Sequence, residues 1–236
     1  MIRLKRLIAT ISKKYGLYHA YPMAFYMIAY MIWFAVIERI PRSYYIQVIL
    51  KADRFIPLIE VFVIPYMSWF FFVAFGLVAV YYADKEAFDK MCTVLMIGMT
   101  FFLLVSTFFP NKQPLRPFDM PRNNVFTWMI RKLWTTDTPT NVWPSIHVYN
   151  TAAIEIAFLK ADSDRMRRRS FRVLTLIWSV LIIASTVFIK QHSLFDVLSA
   201  LAIIAVAYGY VYMAGHVLRF EKWDKWALAF EKRYAQ

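Results

Sequence analysis

His192 and Asp196 stand four residues apart in the stretch Lys190-Gln-His-Ser-Leu-Phe-Asp196, at the head of an apolar run. On a helix this spacing puts both on one face, with Cβ atoms roughly 5–6 Å apart. An aspartate so placed accepts a hydrogen bond from one ring nitrogen and leaves the other free as a nucleophile. It also stabilises positive charge on the ring after attack. A second histidine closes Trp143-Pro-Ser-Ile-His147. There Ser145 is placed to cap the next helix and offer backbone N–H groups to an anion. His147 is suited to hand a proton to a leaving oxygen near neutral pH. A third segment, Pro110-Asn-Lys-Gln-Pro-Leu-Arg-Pro117, carries Lys112 and Arg116 on a loop stiffened by prolines. Arginine grips a phosphate with two parallel donors, and lysine adds a point charge. Lys190 is a third cation. Together these residues suit attack of an imidazole on a phosphate ester, with fixed donors holding the charge that develops on phosphoryl oxygens. The set lacks the spacing of a zinc site, so neither a metal nor another cofactor is expected. Each member alone also has a plainer reading, as a helix cap or an interfacial anchor.

These residues must be held by elements of an unusual composition. Hydrophobic residues make up 60% of the 236 and charged residues 18%, where soluble domains run at about 45–50% apolar. Six apolar runs stand out, roughly Tyr21–Ile37, Val61–Tyr82, Met91–Phe109, Val148–Leu159, Val173–Ile189 and Leu194–Leu218. Their lengths predict helices, and the backbone of a spanning segment must be satisfied internally. The expected fold is all-α: one integral-membrane domain over residues 1–236, built as a six-transmembrane-helix bundle. The fourth run is short and contains Glu155, so it spans only if extended or shielded by neighbours. Between the third and fourth runs, Val125-Phe-Thr-Trp-Met-Ile-Arg-Lys-Leu-Trp134 predicts an amphipathic helix in an outer loop, along the headgroup layer. The single cysteine, Cys92, lies in an apolar run, which excludes an internal disulfide and reads as a small buried hydrophobe.

The formal charge is +13. The basic residues lie between apolar runs, which points to membrane topology and not to a nucleic-acid partner. With the N-terminus inside, the inner segments hold 5, 2, 6 and 5 Lys and Arg, or 18, and the outer loops hold 4, 5 and 1, or 10. Both termini are therefore expected in the cytoplasm, with Arg165, Arg167, Arg168, Arg169 and Arg172 the densest inner cluster. The three chemistry-bearing segments then share the outer side. The start, MIRLKRLIATISKKYG, is basic and amphipathic, without a small-residue cleavage site. Leu4, Leu7, Ile8 and Ile11 share one face there.

In order and spacing the motifs resemble those of the phosphatidic acid phosphatase type 2 superfamily. That family carries Lys-x6-Arg-Pro, then Pro-Ser-Gly-His, then Ser-Arg-x5-His-x3-Asp. Arg116-Pro117 matches the end of the first motif. Pro144-Ser145-Ile146-His147 matches the second with isoleucine for glycine, and Ser185, His192 and Asp196 match the third. The resemblance implies that His192 attacks phosphorus, Asp196 orients it and His147 protonates the leaving alkoxide. Water or an acceptor alcohol then takes the phosphoryl group, with Ser145 and Arg116 as phosphate ligands. Two positions depart from the pattern. The family's lysine falls at Phe109, which makes Lys112 a displaced substitute. The third motif's arginine falls at Thr186, for which Lys190 is a replacement from across the loop. The third motif is also similar to that of the inositol-phosphorylceramide and sphingomyelin synthase branch, which keeps the His and Asp without that arginine.

Three functions follow as expectations. The first is a metal-independent phosphatase acting on a phosphomonoester or pyrophosphate of a lipid, in a bacterial plasma membrane, with its active site on the extracytoplasmic side. The second is a phosphotransferase of the same fold, moving a phosphoryl-headgroup unit from a phospholipid to an alcohol. The third is a transporter or scaffold in which Glu155 marks a polar pathway.

Overall fold

A computed structural model describes residues 16–120 and 122–234. The amphipathic N-terminal stretch with Leu4, Leu7, Ile8 and Ile11 lies outside them. The described residues form α1 (Tyr21–Arg39), α2 (Val63–Ala83), α3 (Lys85–Phe108), α4 (Val125–Thr136), α5 (Ile146–Lys160), the single turn α6 (Asp164–Arg167), α7 (Arg169–Phe188), α8 (Leu194–Tyr208) and α9 (Glu221–Tyr234). A one-turn 3-10 helix, Leu17–Ala20, leads into α1, and a π-turn, Gly209–Met213, extends α8. Among the described residues five segments are long and apolar enough to cross a membrane: Leu17–Arg39, Glu60–Ala83, Lys85–Phe108, Arg169–Phe188 and Leu194–Met213. They carry large apolar side chains outward. Ile28, Ile32, Phe71, Val78, Leu174 and Val206 are all exposed, a distribution that water penalises and lipid does not.

The fourth apolar run takes a different place from these five. It forms α5, whose 15 residues rise about 22 Å, short of the ~30 Å hydrocarbon thickness. It packs against α2, α3, α7 and α8, so its polar groups meet protein. Glu155 accepts hydrogen bonds from Thr175 Oγ1 at 3.2 Å and Ser179 Oγ at 3.0 Å, both on α7. That pairing satisfies a carboxylate that lipid would reject and ties it between two helices. Cys92 is fully buried in the core beside them.

The approach of α5 to α3 depends on Gly98. A Cβ there would fall within the Tyr149 ring, whose hydroxyl donates to the Val94 carbonyl at 2.8 Å. Gly98→Ala is expected to lower stability by about 1–3 kcal/mol, the usual cost of overpacking, seen as a lower unfolding midpoint in detergent.

The chain returns repeatedly to one end of the bundle. There α3 ends, α5 begins, α7 ends and α8 begins. A two-residue parallel pairing, β1 (Ile46–Gln47) with β2 (Asn111–Lys112), joins the loop after α1 to the loop after α3. At the opposite end His19 bridges two carboxylates, Asp89 at 2.7 Å and Asp224 at 2.8 Å. It thereby fastens α9 to the start of α3. The amphipathic segment of the α3–α5 connection does form a helix, α4, capped by Asn124 accepting from Thr127 N. It buries Thr127 and Ile130 and exposes Val125 and Trp128.

Candidate active site

The third motif owes its shape to a tight turn after α7. The Thr186 carbonyl accepts from the backbone N–H of Gln191 at 3.0 Å and of His192 at 2.9 Å. Lys190 adopts a left-handed backbone conformation, φ 57°, which a non-glycine residue holds only when its surroundings enforce it. Ser193 then caps α8 by accepting from Phe195 N at 3.0 Å. Asp196, at the third helical position, accepts from Ser193 N at 3.0 Å, completing a reciprocal cap. This cap fixes Asp196 one turn beyond His192.

His192 Nδ1 lies 3.2 Å from Asp196 Oδ2. The carboxylate can only accept, so Nδ1 carries the hydrogen, and in the neutral ring Nε2 keeps its lone pair. That lone pair faces His147 Nδ1 at 3.4 Å. The structure thus brings the two histidines predicted from the sequence together, with ring centroids 5.5 Å apart. His147 is clamped by aromatic rings of α2, Tyr66 at 4.7 Å and Trp69 at 4.3 Å between centroids.

The remaining predicted residues divide into two groups. Ser145 is fully buried and caps α5 by accepting from Val148 N at 3.4 Å, while its own N–H donates to the Asp196 carbonyl. It welds the second motif to the third. Arg116 reaches the same end of the bundle but spends its fork on protein. Nη1 donates to the carbonyls of Asp137 at 2.8 Å and Trp134 at 3.4 Å, and Nη2 donates to Gln191 Oε1 at 2.8 Å.

The two lysines are placed elsewhere. Lys112 lies on β2 with Nζ 5.7 Å from the Tyr45 ring centroid. Lys190 turns its ammonium away from His192 and donates to the carbonyls of Asp53 and Ile56, where burial pushes its pKa down. Its charge secures the left-handed turn instead of standing in for the arginine absent at Thr186.

Several residues that position the site carry no signal of reactivity in the sequence. Asp53 is buried, and its carboxylate accepts from Ser193 Oγ at 2.6 Å, Leu194 N at 2.8 Å and Leu50 N at 2.6 Å. Asn111 accepts from Val142 N and Trp143 N at 2.9 Å each, joining the first motif to the second. Gln113 donates to the Lys190 carbonyl at 2.8 Å, joining the first motif to the third. Asn111 and Gln113 alternate with Lys112, so an extended backbone turns them inward together. That period of two is the one trace they leave in the sequence.

His192 and His147 open into a cavity of about 330 Å³. Its lining includes the polar Gln191, Asp137, Asn141 and Glu38 and the large apolar or aromatic Tyr30, Met31, Phe34, Phe70 and Phe102. Burial raises the Asp137 carboxyl above the ordinary carboxylate range, against the opposing pull of His192 and Arg116. Among the described residues no group of three or more His, Cys, Asp or Glu is arranged to hold a metal ion. No protein family, no curated protein and no solved structure matches the chain.

Proposed function

We propose that the protein is a membrane-bound lipid phosphate phosphatase that works through a phosphohistidine. The observation that carries this reading is the His192 ring, with Asp196 on one nitrogen and His147 facing the other. Substrate phosphorus would enter from the cavity that both imidazoles line, displacing the 3.4 Å contact between them. The His192 Nε2 lone pair forms the P–N bond as the bond from phosphorus to the leaving oxygen breaks. His147, taking up a proton beside the bound phosphate anion, gives its Nδ1 hydrogen to that oxygen. Asp196 stabilises the positive charge gained by His192. Water then attacks phosphorus, its proton passes to His147, and the P–N bond breaks to release phosphate. No step calls on a metal ion.

The motif resemblance supports the same chemistry. The cavity supports a lipid substrate, because the imidazoles share its lining with large apolar side chains of α1, α2 and α3. A lipid sliding in sideways would leave its chains in hydrocarbon. In this reading α4 lies along the headgroup layer with Trp128 as an interfacial anchor. The Lys and Arg imbalance supports a topology with both termini in the cytoplasm and the active site on the extracytoplasmic side, and the proposed setting is a bacterial plasma membrane. The test is inorganic phosphate release from a panel of lipid phosphates by the purified chain in mixed micelles containing a chelator. Vanadate should inhibit, as a mimic of five-coordinate phosphorus. Activity lost on chelation sinks the proposal.

A specific observation also favours the transferase reading. Lys112 and Lys190 are engaged away from His192, while Glu38 and Asp137 line the cavity. Such a wall repels a phosphomonoester dianion more than a phosphodiester monoanion. Product analysis separates the two: a new lipid plus diacylglycerol marks transfer, free phosphate marks hydrolysis.

A further inference from the structure

The cavity wall holds a buried donor that no described residue satisfies. Gln191 immediately precedes the nucleophile and is 2% exposed. Its backbone is held on both sides, the N–H by the Thr186 carbonyl and the carbonyl by Gln113 Nε2 at 3.3 Å. Its side-chain oxygen accepts from Arg116 Nη2 at 2.8 Å. Arginine has only donors, so the oxygen must face Arg116 and the amide NH2 must face the other way. That Nε2 is buried with no hydrogen-bond partner among the described residues. Leaving such a group unpaired is costly, because it has given up its hydration without a replacement partner. Gln191 lines the cavity beside His192, and Arg116 is not among the described residues of its wall.

We infer that Gln191 is a catalytic residue, whose Nε2–H donates to a non-bridging oxygen of the phosphoryl group as His192 attacks. This inference rests on the phosphohistidine reading. A phosphoryl oxygen is the acceptor the orphan NH2 lacks, and a donor already fixed there needs no reorganisation as charge develops. Arg116 is then a positioning residue. It holds the amide in the one orientation that presents N–H, and its charge on Oε1 strengthens the donor opposite. A neutral amide backed by an arginine thus stands where the resemblance would put a direct cation.

Gln191→Glu is nearly isosteric and keeps an oxygen for Arg116, but it turns the donor into an acceptor. In the full-length protein its kcat is expected to fall about 100-fold, the usual effect of losing one oxyanion donor. Vanadate inhibition should weaken by a similar factor, while KM for the lipid changes little. Gln191→Asn, which draws the amide back by one methylene, should fall between Gln191→Glu and wild type. Arg116→Ala should cost less in a Gln191→Met background than in wild type, because the arginine acts through the amide. Unchanged kcat and vanadate sensitivity in Gln191→Glu, or in Gln191→Asn should the glutamate variant not fold, overturns the inference and leaves the phosphohistidine reading standing. Phosphate release that survives His192→Ala overturns both.

Discussion

His192→Ala is expected to lower phosphate release by at least ~10⁴-fold, the scale on which removal of a covalent nucleophile acts. The alanine leaves Asp196, His147 and the cavity in place, so the fold and lipid binding should persist. A second readout is chemical. Wild type quenched during turnover of a ³²P-labelled lipid phosphate should retain label in a linkage stable to alkali and lost in acid, as a phosphoramidate is. His192→Ala should retain none. Label surviving in the variant would show that another side chain attacks.

Asp53→Ala is expected to be the most damaging substitution outside the reactive pair. The Asp53 carboxylate accepts from three groups, Ser193 Oγ, Leu194 N and Leu50 N. Each buried donor left without a partner costs roughly 1–3 kcal/mol, so on the order of 3 kcal/mol or more of stability should go. His192 lies just before Ser193, so kcat should fall as well, even where the variant is folded. Asp53→Asn keeps one accepting oxygen and should lose less on both measures. Thermal unfolding in detergent and initial rates check the pair. An Asp53→Ala protein with the wild-type unfolding midpoint would show that the outer loop does not hold the turn.

Much of the helical frame was legible because lipid-facing runs are long and free of charge. Tyr21–Ile37 became Tyr21–Arg39, and Val61–Tyr82 became Val63–Ala83. The start of α3 was hidden by charge: Lys85 to Lys90 is polar, yet helical, because Asp84 caps it by accepting from Glu86 N and Ala87 N. Hydropathy sees the charges and not the cap. In the site, His192 and Asp196 could be paired from spacing alone, since a four-residue step fixes geometry on a helix. The partners of Lys112, Lys190 and Arg116 could not be foreseen. A cation's type says what it attracts, and only the folded chain decides whether a carbonyl, a ring or a phosphate gets there first. Asp53 and Gln191 were silent for a related reason. Their work depends on loops far apart in sequence, and an amide or an outer-loop carboxylate carries no reactive signature.

The brevity of α5 bears on how the protein is made. A segment of 15 residues that includes Asn150 and Glu155 gains too little from hydrocarbon to leave a translocation channel unaided. Its Glu155 partners, Thr175 and Ser179, lie downstream on α7 and are synthesised after it. The Glu155 carboxylate therefore gains its partners only when α7 arrives, and the turn between α7 and α8 brings His192 to His147 last. A chain cut short before residue 192 carries His147 without His192 or Asp196, so the pair on which the proposed chemistry depends is assembled only near the end of synthesis.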